Sequence, residues 1–100
     1  MALARVVAFE DVTQDRIDRL RNEIASSEGP PDGVPASELL LLHDPEGQRS
    51  LAILLFESED DYTRGDAALD AMQAEETPGR RVSIAKYRVT IRMTPQGTTI

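Results

Sequence analysis

The strongest pattern along the chain is a pair of apolar runs, Leu39-Leu40-Leu41-Leu42 and Leu51-Ala52-Ile53-Leu54-Leu55-Phe56, with Asp44-Pro45-Glu46-Gly47 between them. Each run has the length of a strand, and the Pro and Gly belong to a tight turn. Ser37 to His43 and Arg49 to Phe56 are therefore predicted to form an antiparallel hairpin. The opening Leu3-Ala4-Arg5-Val6-Val7-Ala8-Phe9 is rich in β-branched and aromatic residues and ends at Glu10-Asp11, which predicts a first strand. Helical spacing then takes over. Asp11 or Thr13 can cap the start, Gln14 follows Asp11 as in a capping box, and Ile17, Leu20 and Ile24 form one narrow inward stripe. Ser26 to Pro31 stops this helix, and a loop through Gly33 and Pro35 leads into the hairpin.

Beyond the hairpin, Ser58 caps a second helix reaching about Ala74, and the acids Glu59, Asp60 and Asp61 suit the positive end of its dipole. Tyr62, Leu69 and Met72 recur at intervals of seven and three. Thr77-Pro78-Gly79 ends the helix, and Arg81 to Met93 alternates over most of its length as a long fourth strand. The tail from Thr94 to Ile100 lacks periodicity and reads as a loose end. No repeat, linker or low-complexity segment divides the chain, so residues 1–100 are expected to form one domain with its core in residues 3–93.

The order strand, helix, strand, strand, helix, strand is the ferredoxin-like β-α-β-β-α-β plan of an α+β domain. Both helices are expected on one face of an antiparallel four-stranded sheet. If the other face met water, strands two and three would alternate apolar and polar, and they do not. A second copy of the chain is the partner the sequence supplies, and two such sheets packed face to face would form a homodimer with an enclosed interior.

On this element order, the length near 100 residues, the turn at Asp44-Pro45-Glu46-Gly47 and the long last strand, the chain resembles the dimeric α+β barrel superfamily from Leu3 to Met93. The superfamily includes the antibiotic-biosynthesis monooxygenase-like domains. The resemblance implies a dimeric α+β barrel. Its members include cofactor-free oxygenases, haem-degrading enzymes, isomerases, dismutases and plain ligand binders, so it leaves the activity open.

Charge and composition narrow the partners. Eighteen acidic residues against eleven basic give a net charge of -7, which repels phosphate backbones and excludes nucleic acid as an expected ligand. The absence of cysteine removes disulfides, thiolate nucleophiles and thiolate metal sites, and fits a cytoplasmic protein. No apolar run approaches a membrane span, and Met1 to Phe9 lacks a signal pattern. No cofactor is expected. The second helix has no His to ligate haem, a single His cannot build a metal site, and the glycines do not make a phosphate loop. The acids Glu57, Glu59, Asp60 and Asp61 lack the ligand order of a calcium loop and read as a solvated helix start.

Four residues carry the candidate chemistry. Arg88 lies with Lys86 and Arg92 on the polar row of strand four, opposite Ala85, Tyr87, Val89, Ile91 and Met93. If it entered the barrel interior unpaired, it would anchor a carboxylate, phenolate or enolate; otherwise it forms a salt bridge. His43 beside Asp44 could act as a general base, although a strand-end His is commonly half-exposed polar filling. Tyr62 on the apolar side of the second helix is core packing or an acid, and Arg5 is a further anchor. The reading is a homodimeric binder of a small anionic or phenolic molecule in the barrel interior. The alternatives are a cofactor-independent monooxygenase-like enzyme and a purely structural dimerisation module.

Overall fold

β1 (Leu3–Glu10) runs through the middle of the sheet, and its two edges place everything else. It pairs antiparallel with β3 (Arg49–Phe56) on one side and β4 (Arg80–Arg88) on the other, while β2 (Glu38–Asp44) joins the outer edge of β3. The order is β2-β3-β1-β4, with α1 (Gln14–Ala25) linking β1 to β2 and α2 (Glu59–Asp70) linking β3 to β4. The chain is thus α+β with a four-stranded antiparallel sheet and two helices, consistent with a ferredoxin-like arrangement. This computed structural model describes residues 2–25, 33–71 and 77–99. The expected helix stop at Ser26 to Pro31 and the stripe residue Met72 lie outside the described residues.

Side chains set the ends of the elements. Thr13 Oγ1 accepts from the Arg16 amide at 3.2 Å, and Ser58 Oγ accepts from the Asp61 amide at 3.1 Å. The capping box read at Asp11 and Gln14 does not form. Asp11 sits at φ 57°, its carboxylate accepts from Arg80 Nε at 3.0 Å, and Gln14 donates to Asp18 instead. In the β2–β3 turn, Asp44 accepts from Arg49 Nε at 2.9 Å and from the Gly47 amide at 3.2 Å. The Arg49 hydrogen bond first, and the Gly47 amide second, hold the Asp44 carboxyl below its usual range.

Residues paired across neighbouring strands share a face. Leu3, Arg5, Val7 and Phe9 stand opposite Phe56, Leu54, Ala52 and Ser50, and both helices cover this face. Tyr62 of α2 packs with Leu3, Leu54 and Phe56, and Ile17 of α1 packs with Val7, Phe9 and Val12. The opposite face is made by Ala4, Val6 and Ala8 of β1, Leu51, Ile53 and Leu55 of β3, and Leu40 and Leu42 of β2. There Leu40, Leu42 and Leu51 are left 45%, 47% and 39% exposed. The apolar runs of strands two and three therefore supply one face under the helices and one that stays open.

The long fourth strand is shorter than its alternation suggests. The Val89 amide donates to the Ala2 carbonyl at 2.9 Å, just past the last register pair of β4 with β1, Arg88 with Leu3. The chain leaves the sheet and Arg92–Thr94 (β5) pairs with Gly97–Thr99 (β6) as a separate hairpin, so residues 94–99 are not a loose end. At the other end of β4, Phe9 pairs with Arg81 while Ala8 pairs with Ser83, leaving Val82 as the extra residue of a bulge on this edge strand.

α2 approaches the sheet at Gly65, where a Cβ would come 2.4 Å from Phe56 Cε1. Phe56 is fully buried and meets the Tyr62 ring edge-on at 5.4 Å, so it has nowhere to go. Gly65→Ala is expected to destabilise the domain by about 1–3 kcal/mol in urea unfolding despite its better helix propensity. A stabilised variant would show that α2 is not seated on Phe56.

A hollow beneath the helices and its arginines

Arg5 is the one charged residue within the apolar run of β1, and the strand alternation turns it toward the helices, where it is 3% exposed. α2 answers it: Asp66 and Asp70 lie one turn apart, and Asp66 follows Tyr62 by four residues on the sheet-facing side. Arg5 Nε donates to Asp66 Oδ1 at 2.8 Å and Arg5 Nη2 to Asp70 Oδ1 at 3.2 Å. Arg81 Nη1 donates to the same Asp70 oxygen at 2.9 Å. Two guanidinium and two carboxylate groups thus form a locally neutral network, with the two acids partly in water and Arg5 sealed beneath them.

The network borders a hollow. A pocket of about 280 Å³ lies between the sheet and the helices. Its floor is Val7, Phe9, Leu41 and Leu54, α1 contributes Leu20, and Arg5 and Arg81 supply its guanidinium groups. The pocket separates the two core clusters, one centred on Phe56 and Tyr62 and the other on Val7, Phe9 and Ile17.

The other candidates do not converge on it. Tyr62 is buried beside this network, with Lys86 Nζ 4.7 Å from its ring centroid, and that Lys is held by Glu59 at 2.8 Å. Burial first, and the Asp66 charge second, raise the Tyr62 hydroxyl above its ordinary value of 10.0. His43 pairs with Ser50 at the far end of β3, six residues from Phe56, which is about 20 Å along a strand. His43 Nε2 and Ser50 Oγ are buried without a hydrogen-bond partner. Arg88 pairs with Leu3, so it sits on the helix side of the sheet and not on the open face, and its side chain is exposed. Arg92 belongs to the β5–β6 hairpin and is bridged to Glu38 and Glu57.

Sequence reasoning missed Asp66, Asp70 and Arg81. The available signal was an acid on the inward stripe of α2 matched to a lone Arg on an apolar strand, since neither is buried without the other. Among the described residues no group of three or more His, Cys, Asp or Glu could hold a metal, and no helix is long and apolar enough to cross a membrane.

The raised Tyr62 value gives a pH signature. The folded state keeps its proton where the unfolded state releases it, so this contribution is complete below pH 10.0 and is lost as pH rises through the folded value. In a Tyr87→Phe background, the phenolate absorbance of Tyr62 is expected to develop above pH 10.0, with stability falling over the same range. A midpoint at or below the ordinary value would mean that Tyr62 is not buried beside Asp66. Comparison with protein-family models, curated proteins and solved structures gave no significant match to this chain.

Proposed function

We propose that the chain is a homodimeric small-molecule-binding module of the dimeric α+β barrel kind, whose ligand enters the hollow between helices and sheet. The observation that carries the binding reading is the 280 Å³ apolar pocket with Arg5 and Arg81 at its edge. Protein interiors pack to crystal-like density, and ligand sites are the concave, mostly apolar exceptions with a few placed polar groups. Arg5 is already held by Asp66 and Asp70 through Nε and Nη2, so it shapes the wall and is not the group that turns to a ligand. Arg81 is half-exposed and shares one oxygen with Arg5; it is the group that turns toward a carboxylate or phenolate oxygen. The ligand class is a small, largely apolar molecule with one acidic or phenolic oxygen. A binder is favoured over an oxygenase because His43 and Tyr62 are too far apart to serve one substrate.

The dimer reading rests on the open face. It is mostly apolar, from Leu40 and Leu42 on β2 to Ala85 and Tyr87 on β4, with Ser83 the polar residue that β4 adds opposite Ala8. The charges at its rim are each bonded within the chain: Glu38 and Glu57 share Arg92, Asp44 pairs with Arg49, and Glu10 and Asp11 share Arg80. An identical face can therefore approach without unpaired like charges at the contact, although the whole molecule carries a charge of -7.

Aromatic and aliphatic carboxylates screened by thermal unfolding are expected to include one that raises Tm by roughly 10–20 °C at a hundredfold excess over its Kd. Ala52→Leu, which fills the pocket, should remove that shift, and Arg81→Met should reduce it for the acid but not for its neutral analogue. Arg88→Met should leave it intact. A shift insensitive to Ala52→Leu would place the ligand elsewhere. For the dimer, Ile53→Asp at the centre of the open face is expected to give a folded monomer in sedimentation, because it leaves the helix-side core untouched. A wild-type chain that sediments as a monomer would remove the dimer.

A further inference from the structure

The open face carries matching features at its two ends. Where β2 turns into β3, a groove of about 520 Å³ is walled by Ala8, Leu42, Leu51 and Val82. Phe9, His43 and Ser50 complete its lining, with His43 Nε2 and Ser50 Oγ buried without a hydrogen-bond partner, and the charged residues at its edge, Glu10, Asp44 and Arg49, are each bonded within the chain. Val82 is there because the β4 bulge inserts it, and it is 43% exposed.

The β5–β6 hairpin lies at the opposite end. Arg92 is bridged to Glu38 at the start of β2 and to Glu57 just after β3, which pins the hairpin to the rim of the open face. On either side of this clamp, Ile91 and Met93 stand 62% and 73% exposed. They are among the most exposed large apolar side chains of the described residues, Met93 within β5 and Ile91 immediately before it.

Groove and hairpin are separated by the length of the eight-residue β1, about 25 Å, so the hairpin cannot reach the groove of its own chain. A second copy can bring them together. With a twofold axis along the strands, hairpin would meet hairpin and both grooves would stay empty. With the axis across the strands, each hairpin faces the partner's groove, the contact forms twice, and the assembly closes. We infer that Ile91 and Met93 of each copy seat in the Ala8–Leu42–Leu51–Val82 groove of the other. This rests on the dimer proposed above and specifies its axis and the segment that each copy contributes.

The chain has no cysteine, so disulfide trapping is free of background. A Val82→Cys/Met93→Cys double variant is expected to run as a covalent dimer on a non-reducing gel after mild oxidation, while each single variant stays uncrosslinked. Both positions are exposed, so neither change should disturb folding. Sedimentation of the wild type and of the reduced variants separates the ways to fail. Monomers throughout would overturn the dimer and with it this docking. A dimer in which Met93→Cys alone crosslinks, or in which the double variant does not, would overturn the docking and leave the dimer standing. Independently, Met93→Glu is expected to raise the dimer dissociation constant roughly tenfold to a hundredfold; an unchanged constant would overturn the docking.

Discussion

A buried guanidinium in the central strand constrains the rest of this molecule. Arg5 lies between Leu3 and Val7 on the face that both helices cover, and a charge there is tolerable only if carboxylates meet it. Asp66 and Asp70 do so from one side of α2, which fixes the rotation of that helix about its own axis: the turn that presents the acids also presents Tyr62 to Phe56 and Gly65 to the ring it would otherwise strike. Leaving Arg5 without its acids would cost about 3–5 kcal/mol were they fully buried, and less here because both are partly in water. In a domain stabilised by roughly 5–15 kcal/mol, even the lower figure is enough to specify how α2 sits.

The same residue explains the hollow. A guanidinium held toward α2 cannot fill the space toward α1, and the apolar side chains on either side gather into two clusters, leaving the pocket between them. A concave, mostly apolar surface with a few placed polar groups is the form ligand sites take, and that is the physical ground for reading the pocket as a place for a ligand. Arg5 and Arg81 are already met by Asp66 and Asp70, and Glu23 adds a carboxylate to the lining, which favours a mostly apolar guest over a strongly anionic one.

Part of the candidate site was legible from residues alone. Arg5 stood out as a charge in an apolar strand, and Tyr62 as an aromatic on the inner side of the second helix; both lie at or beside the observed network. Arg88 looked equally promising in sequence, because alternation says that two rows exist but not which one meets the helices. The register with Leu3 decides that, and it turns Arg88 to the helix side. His43 was visible as a lone imidazole, whereas its burial opposite Ser50, with both polar atoms unpartnered, depends on which residue of β3 it faces.

Hydrophobic periodicity and turn chemistry by themselves determined the number, order and approximate bounds of the main elements, the cap at Ser58, the choice of Asp11 or Thr13 for the first helix, and the presence of a second apolar face. Those features depend on neighbours within a few residues of one another along the chain. Tertiary structure alone decided where β4 ends, at the register pair of Arg88 with Leu3, and it converted the expected tail into a hairpin clamped by Glu38 and Glu57. It also brought Arg5, Asp66, Asp70 and Arg81 together from β1, α2 and β4. Local pattern can flag Arg5 and the inward acids of α2 but does not join them, because ion pairs between residues 61 and 65 positions apart depend on the path of the backbone through space.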